Sequence, residues 1–343
     1  MFFLLSLIPF ALPPGSVGDL GFEVSPPTEL VSPRLDPKHR LEYRWVVRVN
    51  GSGVAGHPLR FRVYIPTSKH ASIAQSTARF LGNLWSLTKS RLGFDHPLAT
   101  RSLVDVFLAE GGKPGGEQSI FSGPDEDGQV RSHNTIYIYE FESLDRPIQM
   151  LRELSHEYGH AVLPAVGGFE TPEEWGNGFL GERLLLLWVM EAFQPGEFSS
   201  EDVCGVDLRE LVSWVSERVY PLSDAVWERG PDRKALMGKG LEAMNAYIGI
   251  ILQVAEGFPL CLPRSMRLSG GQKAMDALKG LELAVQERNE WDIQIPIRLR
   301  GKAVWLPMGN GWKFEGANVQ AQDANGSRIL PLSSVVTARR KVS

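Results

Sequence analysis

The sequence of 343 residues has only two cysteines, Cys204 and Cys261. So few cysteines exclude a disulfide-dense scaffold, and two isolated ones exclude a thiolate zinc site built from paired CxxC motifs. The two residues lie far apart in the chain, so the sequence leaves two alternatives open. They are either free thiols or one disulfide formed in an oxidising compartment.

A strong excess of charge of one sign is also missing. The formal net charge is −4, and no acidic or basic block is longer than a few residues. A nucleic-acid partner would normally require a basic surface, so we predict no nucleic-acid binding. With 43% hydrophobic and 22% charged residues, the composition is that of a soluble globular protein. The sequence leaves the oligomeric state open.

Apolar runs long enough to span a membrane are absent. The longest internal run, residues 184–190, is bounded by Arg183 and Glu191 and predicts a buried helix segment. Residues 2–12 are almost all apolar, which suits the apolar region of a secretory signal. We therefore predict a signal peptide over residues 1–18 and a secreted or periplasmic mature chain without a membrane span. Because no Lys or Arg follows Met1 closely, an apolar N-terminal strand or a retained anchor is the alternative.

The order of periodic segments predicts an α+β protein. Alternating apolar residues predict a hairpin of two strands, helical spacing follows over residues 71–93, and two more strands flank a Gly- and Pro-rich loop. Helical patterns then dominate as far as residue 288, and residues 289–343 are strand-like. We therefore expect one catalytic domain over residues 19–288 and a small β-rich C-terminal region over residues 289–343.

The segment "LRELSHEYGHAVLP", residues 151–164, carries the chemistry. Side chains four residues apart share one face of a helix, so His156 and His160 can present two imidazole nitrogens to one metal ion. Glu157 lies about 100° further round the helix, where it reaches a water molecule bound to that metal rather than the metal itself. This pattern predicts a Zn²⁺ site with Glu157 as general base.

No histidine follows His160 anywhere in the chain, so a third ligand further along must be a carboxylate. Five acidic residues are candidates: Glu170, Glu173, Glu174, Glu182 and Glu191. The first three lie in a polar turn, where solvated charge is the usual role. Glu182 is preferred because it begins a strongly apolar helical stretch, where a carboxylate requires a partner, and Glu174 comes next.

"HEYGH" followed by a helical glutamate resembles the gluzincins, the zinc peptidase clan of thermolysin-like and aminopeptidase enzymes. The resemblance covers roughly residues 130–195 and implies a zincin-like fold, with His156, His160 and Glu182 as zinc ligands and Glu157 as base. The sequence departs from the clan in two places. Leu186 replaces an acidic residue that orients a ligand histidine in many members, and "GNG" at 176–178 replaces their "NE".

The resemblance also suggests further roles. Gluzincins stabilise the oxyanion with a downstream Tyr or His, and only Tyr220 and Tyr247 are available here. Tyr247 has the more suitable separation, and core packing is its alternative role. "NTIYIYEFE", residues 134–142, resembles the edge strand that lies beside the substrate, where Glu140 or Glu142 would hold a substrate amine in an aminopeptidase.

The sequence thus predicts a zinc-dependent peptidase that acts on a peptide or protein substrate. Two alternatives remain open: an inactive binding protein on the same fold, and a zinc hydrolase acting on a substrate other than a peptide. Because metal binding alone requires no base, the presence of Glu157 favours an enzyme.

Overall fold

The computed structural model describes residues 21–52, 58–93, 103–124, 128–144, 146–170 and 173–340. The predicted signal peptide over residues 1–18 lies outside these residues. The described part is a mixed α+β protein with sheets and eight α-helices. None of the described helices is long and apolar enough to cross a membrane.

The first half of the chain forms one seven-stranded sheet. Its strands are β1 (Phe22–Val24), β2 (Thr28–Leu35), β3 (Glu42–Gly51), β4 (Leu59–Ile65), β5 (Val104–Ala109), β6 (Gly115–Pro124) and β7 (Val130–Tyr139). Their order is β1-β3-β4-β5-β7-β6, and β2 also pairs with β3. Strands β4, β5 and β7 run parallel, whereas β6 runs antiparallel to β7. The antiparallel β6 therefore forms one edge of the sheet.

Strand β6 corrects two expectations. The sequence predicts a loop over this Gly- and Pro-rich stretch and an edge strand over residues 134–142. In the structure β6 forms within the stretch and pairs with β7 from Gly115 to Pro124, so β7 lies inside the sheet. An edge strand tolerates glycine and proline because one of its sides needs no ladder partner.

Eight α-helices of the described residues follow or connect the strands. They are α1 (Ala71–Leu92), α2 (Pro147–Val162), α3 (Asn177–Phe193), α4 (Leu208–Arg218), α5 (Tyr220–Arg229), α6 (Leu241–Gly257), α7 (Leu262–Ser269) and α8 (Met275–Gln286). Helix α1 crosses between the parallel strands β4 and β5, as parallel pairing requires. Helix α2 packs against β6 and β7, and α3 packs on α2. The helices and the sheet residues that face them form the main hydrophobic core. A second, smaller cluster consists of five buried sheet residues: Tyr43, Val46, Tyr64, Phe107 and Tyr137.

The C-terminal region forms two three-stranded sheets, β10-β13-β8 and β11-β12-β9. Their strands are β8 (Glu290–Gln294), β9 (Val304–Leu306), β10 (Trp312–Glu315), β11 (Ala317–Gln322), β12 (Ser327–Pro331) and β13 (Val335–Arg340). Trp291, Ile293 and Leu306 are buried in the same hydrophobic core as the helices. The C-terminal region therefore shares a hydrophobic core with the helices and is not joined to them by the chain alone.

Arg298 joins this C-terminal region to helices α5 and α6. Its guanidinium lies 2.8 Å from Asp224 Oδ1 and 2.8 Å from Glu256 Oε1. The same group lies 4.0 Å from the centroid of the Tyr220 ring. Burial opposes the charge on Arg298, but the two carboxylates outweigh it and raise the pKa of the guanidinium. The interface thus depends on a largely buried ionic network.

We expect Arg298→Met to lower the free energy of unfolding by roughly 2–4 kcal/mol, because it leaves the Glu256 carboxylate buried without its partner. The lower part of the range is favoured because 25% of the Arg298 side chain is exposed. Denaturant unfolding measures the effect. Arg339→Met, which removes an exposed guanidinium of the same region, is the control and should change nothing measurable. An unchanged midpoint for Arg298→Met would contradict the proposed role of the network.

Cys204 and Cys261 are free thiols in the structure. Of the two alternatives that the sequence leaves open, the structure has the free thiols and not the disulfide. Burial raises the pKa of each thiol to about 12. Both groups are therefore protonated at neutral pH, and neither has the properties of a reactive cysteine.

Candidate metal centre

The candidate site is built on α2, and its sequence explains both ends of this helix. Pro147 lies in the first turn, where its missing N–H is not needed. Pro164 follows the last residues and disfavours further helix. The side of the helix that packs on the core carries large buried side chains: Leu151, Leu154 and Tyr158. This packing fixes the direction in which the remaining faces of α2 point.

Both histidines of α2 direct their Nε2 atoms at one carboxylate, that of Glu173. His156 Nε2 lies 2.7 Å from Glu173 Oε1, and His160 Nε2 lies 2.9 Å from Glu173 Oε2. One possible ligand atom from each of the three residues lies within 4.8 Å of the other two. Two imidazole nitrogens and a carboxylate oxygen are donor types that zinc accepts.

Asn177, at the start of α3, holds the ring of His160. Its Oδ1 lies 2.9 Å from His160 Nδ1, and its Nδ2 faces three backbone carbonyl oxygens at 3.3 Å. The amide must donate to these carbonyls, so its oxygen accepts from His160 Nδ1. This tautomer leaves a lone pair on His160 Nε2, the atom that faces Glu173.

Glu182, predicted as the third ligand, lies on the other side of His156. Its Oε2 is 3.8 Å from His156 Nδ1, whereas its Oε1 accepts from Arg152 Nε at 2.5 Å. Arg183 adds a second guanidinium at 3.4 Å. Burial opposes ionisation of Glu182, but His156 and the two arginines hold the pKa of its carboxyl group below the usual value.

The structure therefore does not bring Glu182 to the two Nε2 atoms, because Arg152 and Arg183 hold its carboxylate on the Nδ1 side of His156. A carboxylate at that place orients the ring of a ligand histidine. Many members of the clan that the sequence resembles have an acidic residue for this role at the position of Leu186. Here Glu182 itself lies on the Nδ1 side of the ring, where that acid would be.

The three residues at the Nε2 atoms strongly affect one another's charge. Burial opposes protonation of His156, but its hydrogen bond with Glu173 and the nearby Glu182 carboxylate outweigh burial and raise the pKa to about 10. Burial likewise opposes ionisation of Glu173, yet the hydrogen bond with His156 and the adjacent His160 ring lower its pKa to about 2. The pocket thus stabilises a positive charge between the imidazole rings and the Glu173 carboxylate.

Glu157 is 4% exposed and faces the edge strand β6. A Cβ atom built on Gly116 of β6 would lie 2.5 Å from Glu157 Oε1, so the carboxyl group fills the space this glycine leaves. Burial, together with the charge of Glu173 and other nearby carboxylates, raises the pKa of Glu157 to about 8 against the opposite effect of His156. A carboxyl group that exchanges its proton near neutral pH suits acid–base catalysis.

Glycines bring α3 into backbone contact with α2. A Cβ atom on Gly181 would lie 2.5 Å from the Cα atom of Gly159, so no side chain fits at this crossing. One turn earlier, a Cβ atom on Gly178 would lie 2.2 Å from His160 Nε2 and 2.5 Å from His156 Nε2. The two Nε2 atoms therefore face the α3 backbone at Gly178, which has no side chain.

The tyrosines considered as oxyanion donors lie in other surroundings. Tyr247 is 1% exposed, its ring centroid is 6.0 Å from that of Phe169, and burial raises its pKa. Its ring also contacts the position of Gly176, so Tyr247 supports the loop that carries Glu173. Tyr220 lies under Arg298 at the C-terminal interface. Among the described contacts, none joins either tyrosine to His156 or His160.

The sequence does not single out three residues of the site: Glu173, Asn177 and Gly178. Glu173 is one of the five candidate acids, but its polar turn favours a solvated charge. Asn177 and Gly178 belong to the "GNG" segment, which departs from the pattern of the clan. Neither the family models nor the curated proteins contain a match to this chain. The functional inference therefore rests on the chemistry of the site.

Proposed function

We propose that the protein is a zinc-dependent peptidase with a zincin-like fold, in which His156, His160 and Glu173 bind zinc and Glu157 is the general base. The observation that carries this proposal is the convergence of two Nε2 atoms on one carboxylate, beside a second, buried carboxyl group. Metal storage or structural metal binding requires the first three residues only. Glu157 faces β6 rather than the Nε2 atoms, so it is not needed to hold the metal. In hydrolysis it would act as the general base.

The residues present fit a zinc ion. Asn177 and Glu182 lie on the Nδ1 sides of the histidines, so both Nε2 atoms are available as ligands. The pocket keeps Glu173 anionic and favours a proton on His156. It therefore favours positive charge at this place, which a divalent cation would supply. When bound, zinc would polarise the substrate carbonyl and lower the pKa of a coordinated water molecule.

The chain's own residues would then perform the proton transfers. Glu157 accepts a proton from the attacking water and delivers it to the leaving amine as the peptide bond breaks. Its burial against Gly116 keeps bulk water away from the carboxyl group. These steps suit a carboxyl group whose pKa lies near neutrality, and burial raises the pKa of Glu157 to about 8.

The edge strand supports a peptide as the substrate. Strand β6 runs antiparallel to β7 at the edge of the sheet and passes Glu157 at Gly116. A peptide can add to such an edge through main-chain hydrogen bonds, which bind it without regard to most of its side chains. This arrangement of motif helix and antiparallel edge strand also supports the zincin-like fold. The predicted export would give the enzyme extracellular or periplasmic substrates.

Metal analysis combined with a hydrolysis assay tests the proposal. The purified full-length chain should contain zinc and hydrolyse casein or members of a peptide library. A chelator should abolish hydrolysis, and added zinc should restore it. A chain that binds no zinc would contradict the metal assignment, whereas stoichiometric zinc without hydrolysis of any peptide would favour the inactive binding protein.

Glutamine substitutions separate the roles of the two carboxylates beside the histidines. We expect Glu182→Gln to weaken zinc affinity by about 10- to 100-fold, the usual cost of removing a group that orients a ligand histidine. Glu173→Gln should weaken it further, because it removes a ligand. Glu174→Gln alters the exposed neighbour of Glu173 and should bind zinc like the wild type. Competition titration with a chromophoric chelator measures all three. A larger loss for Glu182→Gln than for Glu173→Gln would reverse the assignment.

A further inference from the structure

A second group of histidine and glutamate side chains lies at the carboxyl ends of the parallel strands. His70 ends the short 3₁₀ turn Ser68–His70 after β4, Glu110 follows β5, and Glu142 lies in the turn Phe141–Ser143 after β7. The carboxyl ends of parallel strands meet at one edge of the sheet, so these distant segments converge there. One possible ligand atom from each residue lies within 4.8 Å of the other two.

His70 is the fixed member of this group. Its side chain is 5% exposed, and its ring packs edge-on against Phe141 with 4.9 Å between centroids. His70 Nε2 lies 2.8 Å from Glu142 Oε1, so in the neutral imidazole this nitrogen carries the hydrogen and donates it. The buried Nδ1 atom makes no hydrogen bond.

The surroundings of that Nδ1 atom favour a cation. Glu110 Oε1 lies 3.5 Å away, so a lone pair on nitrogen faces a carboxylate oxygen in the neutral form. Two electron-pair donors at this distance repel each other unless a positive charge lies between them. Two ligand atoms on one tetrahedral zinc ion are about 3.3 Å apart, given metal–ligand bonds of about 2.0–2.2 Å. The observed separation is therefore close to that of a coordinated pair.

We propose that His70 Nδ1 and Glu110 bind a divalent transition-metal ion of the zinc type, at a site separate from that of His156 and His160, while Glu142 holds the imidazole ring from its Nε2 side. A nitrogen and a carboxylate oxygen are donor types that zinc accepts, and water molecules would complete its coordination. The Glu110 side chain is 40% exposed, so its carboxylate can adjust to the ion while His70 stays in place. A metal here would join the ends of β4 and β5, and the hydrogen bond from His70 to Glu142 would extend this link to β7.

Lys69 is the cation that such a metal ion would displace. Its Nζ atom lies 3.3 Å from Glu110 Oε1 and 3.8 Å from Glu142 Oε1, and 60% of its side chain is exposed. An exposed ammonium group in such a pair returns to water at little cost. Removing Lys69 should therefore strengthen metal binding, whereas removing one of the carboxylates should weaken it. A purely structural ion-pair cluster would not predict this opposition.

Zinc titration of the full-length chain and its variants tests the proposal. We expect two zinc ions per wild-type chain and one per chain after His70→Asn or after His156→Asn. Because His70 is buried and its replacement could disturb folding, Glu142→Gln provides a second, exposed variant, which should weaken one of the two sites at least tenfold. Lys69→Met should bind zinc at this site several-fold more tightly, with Lys113→Met as the matched exposed-lysine control.

The outcomes separate the two metal sites. A single zinc ion that is lost in His156→Asn but keeps its affinity in Glu142→Gln and Lys69→Met would overturn the second site and leave the proposed peptidase unaffected. A single zinc ion lost in folded His70→Asn but retained in His156→Asn would support the second site and contradict the peptidase. No zinc in the wild type would overturn both. An unchanged or weaker affinity in Lys69→Met would also overturn the second site.

Discussion

Replacing Glu157 with glutamine is expected to lower kcat for peptide hydrolysis by about 10²- to 10⁴-fold, the usual contribution of a general base. Zinc content should stay at the wild-type level, because the Nε2 atoms of His156 and His160 face Glu173 rather than Glu157. Glutamine fills the same space against Gly116 but cannot accept the proton of the attacking water. Steady-state kinetics on the best library peptide, together with zinc analysis of the same samples, measure both quantities.

Glu174→Gln is the matched control for this change, because it removes an exposed carboxylate of the loop that carries Glu173. It should leave kcat within a factor of about two. If Glu157→Gln lost zinc together with activity, Glu157 would be a metal ligand or a structural support. If it kept both, hydrolysis would use another base, and the proposed mechanism would be wrong.

The helix with two histidines could be predicted because its chemistry is local. The positions of His156, Glu157 and His160 around α2 follow from helix geometry alone, and Pro147 limits the helix at its start. The mixed α+β character is also confirmed, since alternating and helical apolar patterns are set by short segments. The exact pairing of strands was less accessible. Strand β6 consists of glycine, proline and polar residues, and only its pairing with β7 makes it a strand.

The carboxylate that faces the two Nε2 atoms could not be predicted because it depends on how α3 lies on α2. In the clan that the sequence resembles, the ligand glutamate and an orienting acid are four residues apart on one helix. In this structure Glu182 lies on the Nδ1 side of His156, as the orienting acid would. The residue four positions earlier is Gly178, which faces the Nε2 atoms but has no side chain. The carboxylate that faces the Nε2 atoms is instead that of Glu173 on the preceding loop.

The separation along the chain does not determine which carboxylate faces the Nε2 atoms. Glu182 follows His160 at nearly the clan's ligand spacing, but Arg152 and Arg183 hold its carboxylate on the far side of the ring. A pair of basic residues near a buried glutamate indicates an ion pair as readily as a metal ligand. Sequence alone does not distinguish these roles, because they depend on which side of the imidazole the carboxylate approaches.

Gly178→Ala is expected to abolish zinc binding at the histidine pair, and it tests this account of the site most directly. Alanine is favoured over glycine within a helix by about 1 kcal/mol, so helix propensity alone predicts a more stable protein. The added Cβ atom would instead lie 2.2 Å from His160 Nε2 and 2.5 Å from His156 Nε2, where no real contact is so short. Either the rings turn away from Glu173 or α3 moves off α2, and both changes separate the ligands. Such overpacking costs about 1–3 kcal/mol, so the free energy of unfolding should fall rather than rise.

Gly240→Ala is the control, because a Cβ atom there has open space around it. It should bind zinc like the wild type. Isothermal titration with zinc and denaturant unfolding of both variants measure the two effects. If Gly178→Ala bound zinc at the histidine pair with wild-type affinity, the close approach of α3 to the Nε2 atoms would be wrong. A carboxylate from α3 would then have room to reach the metal. The reason for assigning Glu173 as the ligand, that Gly178 of α3 has no side chain beside the Nε2 atoms, would no longer hold.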